Sequence, residues 1–103
     1  MNLSEKYHEL IVLLTKFLSG ALGADVLQEF IWEVIDYFSV TEKKDLPPEE
    51  EFERVFWYVV WDVQHLATED HLEDGVAQRE LREALAFLRG ELNLPEEYVG
   101  RRP

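Results

Sequence analysis

Apolar residues recur along this chain at three- and four-residue spacing in four separate stretches, and no stretch alternates as a strand would. In the first stretch Tyr7, Leu10, Ile11, Leu14 and Leu18 share one helix face, and Ser4 is the expected N-cap. "SGALGA" ends it, with Gly20 and Gly23 both able to take positive φ. Asp25 is expected to start the second helix, with Gln28 three residues later as in a capping box. Its inner stripe is Leu27, Phe30, Ile31, Val34 and Phe38, widened by Trp32 and Ile35. Pro47 and Pro48 open the third helix, where a missing N–H does no harm. Its two adjacent stripes are Phe52, Phe56, Val59, Val63 and Leu66, and Trp57, Val60 and Trp61. So apolar a surface predicts the central helix of the fold, with a narrow polar strip of Arg54, Tyr58, Asp62 and His65. The fourth helix runs from about Val76 to Arg89 on Leu81, Ala84, Leu85 and Leu88, and Gly90 stops it.

Short connections between these helices predict an all-α, antiparallel up-down four-helix bundle. The 103 residues fit a single helical domain, with the bundle over about 4–89 and a C-terminal tail over 90–103. "SVTEKKDLP" is the longest connection. Leu92, Leu94 and Tyr98 are placed to pack back onto the bundle, and the last residues are expected to be loose.

Charge changes the picture most. Asp and Glu number 22 against 10 Lys and Arg, a net charge of −12. A phosphate backbone or an anionic membrane would be repelled, so neither nucleic acid nor membrane is expected as a partner. A basic protein would be drawn in quickly and in a salt-sensitive way. There is no cysteine, which removes disulfides, thiolate metal sites and a thiol nucleophile, and makes a cytoplasmic address the default. "MNLSEKYHEL" lacks the pattern of a signal peptide, and "LIVLL" and "VFWYVVW" are far short of a membrane span.

The most crowded polar stretch is "HLATEDHLEDG", residues 65 to 75. A di-iron bundle needs two Glu-x-x-His pairs, and the chain does not have two; near this stretch it offers Asp62-x-x-His65 once. Glu9, Glu29, Glu33 and Asp36 would turn inward only by displacing the apolar stripes. "DHLEDGVAQREL" has Asp70 and Gly75 at positions one and six of an EF-hand loop, but Leu72 at three and Glu80 at eleven break the pattern. Zinc on His65, His71 and a carboxylate competes with the plainer reading of two surface histidines. Asp62 and His65, one turn apart, read as ordinary helix pairing. Phosphate-binding loops and nucleophile motifs are absent. Neither a metal nor a cofactor is expected, no residue is assigned a catalytic role, and the chain is not expected to be an enzyme.

Other features fit a known pattern. "LIVLLTKFLSGALGADVLQEF", with Phe17-Leu18-Ser19-Gly20 and then Phe30, resembles the opening of the colicin D-type, self-protective colicin-like immunity proteins. "EEEFERVFWYVVWDVQHL" resembles that family's central helix. "EDHLEDGVAQRELREALAFL" resembles its acidic loop and the Glu80-Leu81-Arg82 start of its last helix. The resemblance spans about residues 7 to 89. It implies a small non-enzymatic inhibitor that covers the active site of a basic, tRNA-cleaving toxin domain, its carboxylates standing in for RNA phosphates.

The expected partner-facing residues are Asp62, His65, Glu69, Asp70, His71, Glu73 and Asp74, with Glu49, Glu50 and Glu53 as a second patch. The third helix separates the two patches by ~25–30 Å. A free monomer is expected. The rival expectation is an adaptor or self-associating bundle, marked by an exposed apolar patch around Trp32, Trp57 or Trp61.

Overall fold

Each apolar stripe closes onto the next. The computed structural model describes residues 2–40 and 50–103 and contains α1 (Leu3–Leu18), α2 (Ala24–Phe38), α3 (Glu51–Thr68) and α4 (Gly75–Leu88). Consecutive helices pack together and α1 closes the ring on α4. The ends that meet set the directions. Tyr7, early in α1, donates its hydroxyl to Leu88 O at the end of α4, at 2.5 Å. Phe38, at the end of α2, packs edge-on to Trp57, with centroids 5.4 Å apart. Tyr58 of α3 meets Phe87, late in α4, at 6.2 Å. These contacts fit an antiparallel order of neighbours.

The core is apolar throughout: among the described residues no polar or charged residue is buried. Leu10, Leu14, Leu27, Ile31, Val34, Phe56, Trp57, Val59, Val60, Val63 and Leu81 are almost fully enclosed. Burying a large side chain of this kind typically contributes about 1.5–3 kcal/mol. Trp57 is thus a core residue.

The chain departs from the sequence expectations at several places. Asn2, not Ser4, caps α1, its side chain accepting from Glu5 N at 3.2 Å. α2 begins one residue early, behind Gly23 in an extended conformation, and no side chain caps it, so the Asp25–Gln28 box does not form. Gly20 takes positive φ but Gly23 does not. Trp32 and Phe52 stand at the edges of their stripes, 45% and 39% exposed. Pro47, Pro48 and Glu49 fall outside the described residues; α3 begins at Glu51, with Glu50 as N-cap. Nor is α3 central, because in a ring of four each helix has two neighbours.

The surplus apolar and polar surface of α3 is covered instead by the C-terminal segment, which is not loose. Arg54 places all five N–H donors of its guanidinium. They reach Leu94 O (2.9 Å), Pro95 O (3.0 Å), Tyr98 O (2.7 Å) and both carboxylate oxygens of Glu51 (2.6 and 3.1 Å). Tyr98 stacks on Tyr58 at 5.2 Å, and Trp61 donates its indole N–H to Arg101 O at 2.6 Å. Arg102 grips both carboxylate oxygens of Glu53, which lies almost entirely inside. Gly100 sits flush on α3: a Cβ there would stand 1.9 Å from Arg54 O. Leu94 is buried beside this strap, whereas Leu92 and Tyr98 remain partly exposed.

Candidate protein-binding surface

The connection between α3 and α4 is a fixed platform. α3 ends in a Schellman motif, with His71 N donating to Leu66 O (2.8 Å) and Asp70 N to Ala67 O (3.1 Å). The same pair of bonds ends α1 around Gly20 and α4 around Gly90, but here the left-handed position is held by Asp70, at φ 59°. Asp74 N donates to His71 O (3.0 Å), and Leu72 plugs into the core at 3% exposure. Everything else on the loop faces outward: Glu69, Asp70, His71, Glu73 and Asp74 are all exposed.

Two local pairs tie the side chains. His65 Nε2 lies 2.9 Å from Glu69 Oε1, and His71 Nδ1 lies 2.7 Å from Asp74 Oδ2. The second pair explains why Asp74, the N-cap residue of α4, makes no side-chain cap bond. Both pairs are well exposed and individually weak. Among the described residues no cluster of His, Asp and Glu has the form of a metal site.

The loop does not stand alone at its end of the bundle. Asp70, Leu72, Glu73 and Asp74 share one shallow cleft with Ala24 and Gln28 at the start of α2. On its other side Glu73 borders the α1–α2 turn at Gly20–Gly23. The acidic loop therefore borders the uncharged α1–α2 turn and the start of α2.

Asp62 behaves differently from its loop companions. It pairs not with His65 but faces α4, where Glu80 is within hydrogen-bonding reach and Glu83 is close. Burial first, and those two carboxylates next, push the Asp62 carboxyl up to about 7. Beneath Tyr98, burial and the same acids push the Tyr58 hydroxyl up to about 12. Of the second patch, Glu50 is exposed, Glu53 is held by Arg102, and Glu49 lies outside the described residues. Sequence spacing missed Glu80 and Glu83 as neighbours of Asp62, because it relates residues on one helix and not across two.

Asp70 offers a direct check on the platform. Glycine has no Cβ to strain at φ 59°, so Asp70→Gly is expected to raise stability by about 0.5–1 kcal/mol. Urea unfolding of the two proteins measures it; a loss of stability would show that the aspartate side chain itself holds the turn.

No protein-family model, curated protein or solved structure matches the chain.

Proposed function

We propose that this chain is an acidic immunity-type inhibitor, acting in the cytoplasm, that binds a basic nuclease toxin domain and covers its active site. The observation that supports this most is the hydrogen-bonded loop that presents Glu69, Asp70, Glu73 and Asp74 to solvent on a protein of net charge −12. The resemblance to the colicin D-type immunity proteins points the same way. Carboxylates already held in place lose little freedom on pairing with Lys and Arg, and that offsets part of their desolvation. His65 and His71 stand at the rim of this surface. Asp62, turned toward α4, contributes to its field more than to direct contact.

The test is rescue from killing. The product of the adjacent reading frame is expressed in a naive host with and without this protein. Specific rescue is the expected result; killing that this protein leaves unrelieved overturns the reading. Charge reversal at Glu69, Asp70 and Glu73 together is expected to weaken toxin binding by ~100-fold, with a shallower salt dependence and an unchanged unfolding midpoint. Unchanged affinity would move the contact elsewhere on the protein.

The rival reading, a self-associating adaptor, draws on the half-exposed Trp32. It requires a dimer that persists in high salt, which light scattering detects.

A further inference from the structure

α2 carries an outward face that its own bundle does not explain. Asp25, Glu29 and Glu33 follow at four-residue spacing, with Asp36 three residues on, and all four are exposed. Like charges at this spacing repel one another and destabilise a helix. α2 contains no Lys or Arg to relieve them, and no basic residue stands in its last turn to meet the helix dipole. Lys6 of α1 lies near Glu33, but its ammonium is bound to Glu9 at 2.9 Å. Helical spacing puts Trp32 on one flank of this ridge and Val26 and Tyr37 on the other. Trp32 is 45% and Tyr37 46% exposed. Among the described residues the face thus combines a row of carboxylates, which Lys6 meets only at Glu33, with two large exposed aromatics.

Charge decides what covers it. A second copy of this chain would set four carboxylates against four, in a molecule already at −12. A segment rich in Lys and Arg would meet each carboxylate and lay cations over the indole and phenol rings. Trp and Tyr ringed by charge are also the residues on which binding energy concentrates at protein interfaces. At the N-terminal end of α2, Ala24 and Gln28 border the cleft that Asp70, Glu73 and Asp74 also line, and helical spacing puts them beyond the Trp32 flank of this face.

We propose that the outer face of α2 is a docking surface for a lysine- and arginine-rich protein segment, with Trp32 as aromatic anchor and Glu29, Glu33 and Asp36 as counter-charges. The proposal shares with the inhibitor reading the need for a basic partner, but not the partner's being a nuclease.

The probe is a synthetic alanine-based helical peptide carrying lysine and arginine on successive turns, titrated at low salt into the isotopically labelled full chain. Amide signals of residues 29–36 and the Trp32 indole N–H are expected to shift. Trp32→Ala should weaken binding by ~10-fold and Trp32→Phe by much less, each measured where unfolding curves show the variant to be fully folded, since Trp32 is 45% exposed. Shifts confined to residues 69–74, with Trp32→Ala binding as wild type, overturn the α2 surface and leave the inhibitor reading standing. No shift anywhere overturns the α2 surface as well, and so does peptide-free dimerisation abolished by Trp32→Ala, which assigns the face to a second copy. Docking on α2 combined with failed toxin rescue supports the surface and removes the nuclease.

Discussion

Replacing Gly100 with alanine lowers the unfolding free energy by about 1–3 kcal/mol, the usual cost of forcing an extra carbon into a packed site. The added Cβ would meet Arg54 O at 1.9 Å, Arg54 C at 2.8 Å and Tyr58 N at 3.0 Å. All three are backbone atoms in the first half of α3, so no side chain can swing aside. The strap must lift, and its attachments loosen together: the Arg54 bonds to three carbonyls, the Tyr58–Tyr98 stack and the Arg102–Glu53 pair. For a domain of this size each kcal/mol moves the melting temperature by about 4–8 °C. Thermal and urea unfolding would measure the effect, with Val99→Ala at an exposed neighbour as the control. A Gly100→Ala protein as stable as wild type would mean that the strap contributes nothing to the fold.

Asp62→Asn is expected to stabilise the protein at and above neutral pH. A carboxyl held above its ordinary value binds its proton more tightly in the native state than in the unfolded one. Its contribution to stability is therefore full below its ordinary value of 3.8 and is lost as the pH rises through about 7. Wild-type stability should fall across that window, as ionised Asp62 is forced against Glu80 and Glu83 in a partly desolvated groove. Asparagine removes the charge and can donate an N–H to Glu80. The full separation corresponds to a ceiling of ~4 kcal/mol, which partial exposure and screening reduce to an expected gain of ~1–2 kcal/mol near pH 8. The Glu51 carboxylate, held low chiefly by its hydrogen bond to Arg54, acts in the opposite sense, but only below its ordinary value of 4.5, and it is well exposed. Urea midpoints between about pH 5 and about pH 8 separate the two effects, since only the Asp62 slope flattens in the variant. Parallel pH profiles for the two proteins would place the native-state proton elsewhere.

What was legible in the sequence, and what was not, follows the range of the interactions. Leu10, Leu14, Leu27, Ile31, Val34, Val59, Val63 and Leu81 announce themselves because one helix face fixes their spacing, and Gly90 because a left-handed turn favours it. Arg54 looked like a solvated strip residue, yet it fastens carbonyls 40 to 44 positions away. The strap is legible only in part: Leu92, Leu94 and Tyr98 mark a segment that packs back, but "EEYVGRRP" has no helical period to show that its last residues are fastened too. Trp32 and Phe52 satisfied the spacing of inner stripes but lie near stripe edges, where the period cannot choose a side. In the acidic surface, the loop residues were readable as exposed from their polarity. Asp62 was not, because its neighbours Glu80 and Glu83 belong to another helix.

That no polar or charged residue belongs to the buried core among the described residues has a consequence for change over generations. No side chain serves both the interior and the outer faces of α2 and the 69–74 loop, so substitutions on those faces leave core packing untouched. Effects at separated sites add nearly independently. A lineage can therefore redraw its charge and aromatic pattern step by step, following a partner that is itself drifting, while each intermediate still folds. The interior limits how many such steps can accumulate, and the exterior decides what each one recognises.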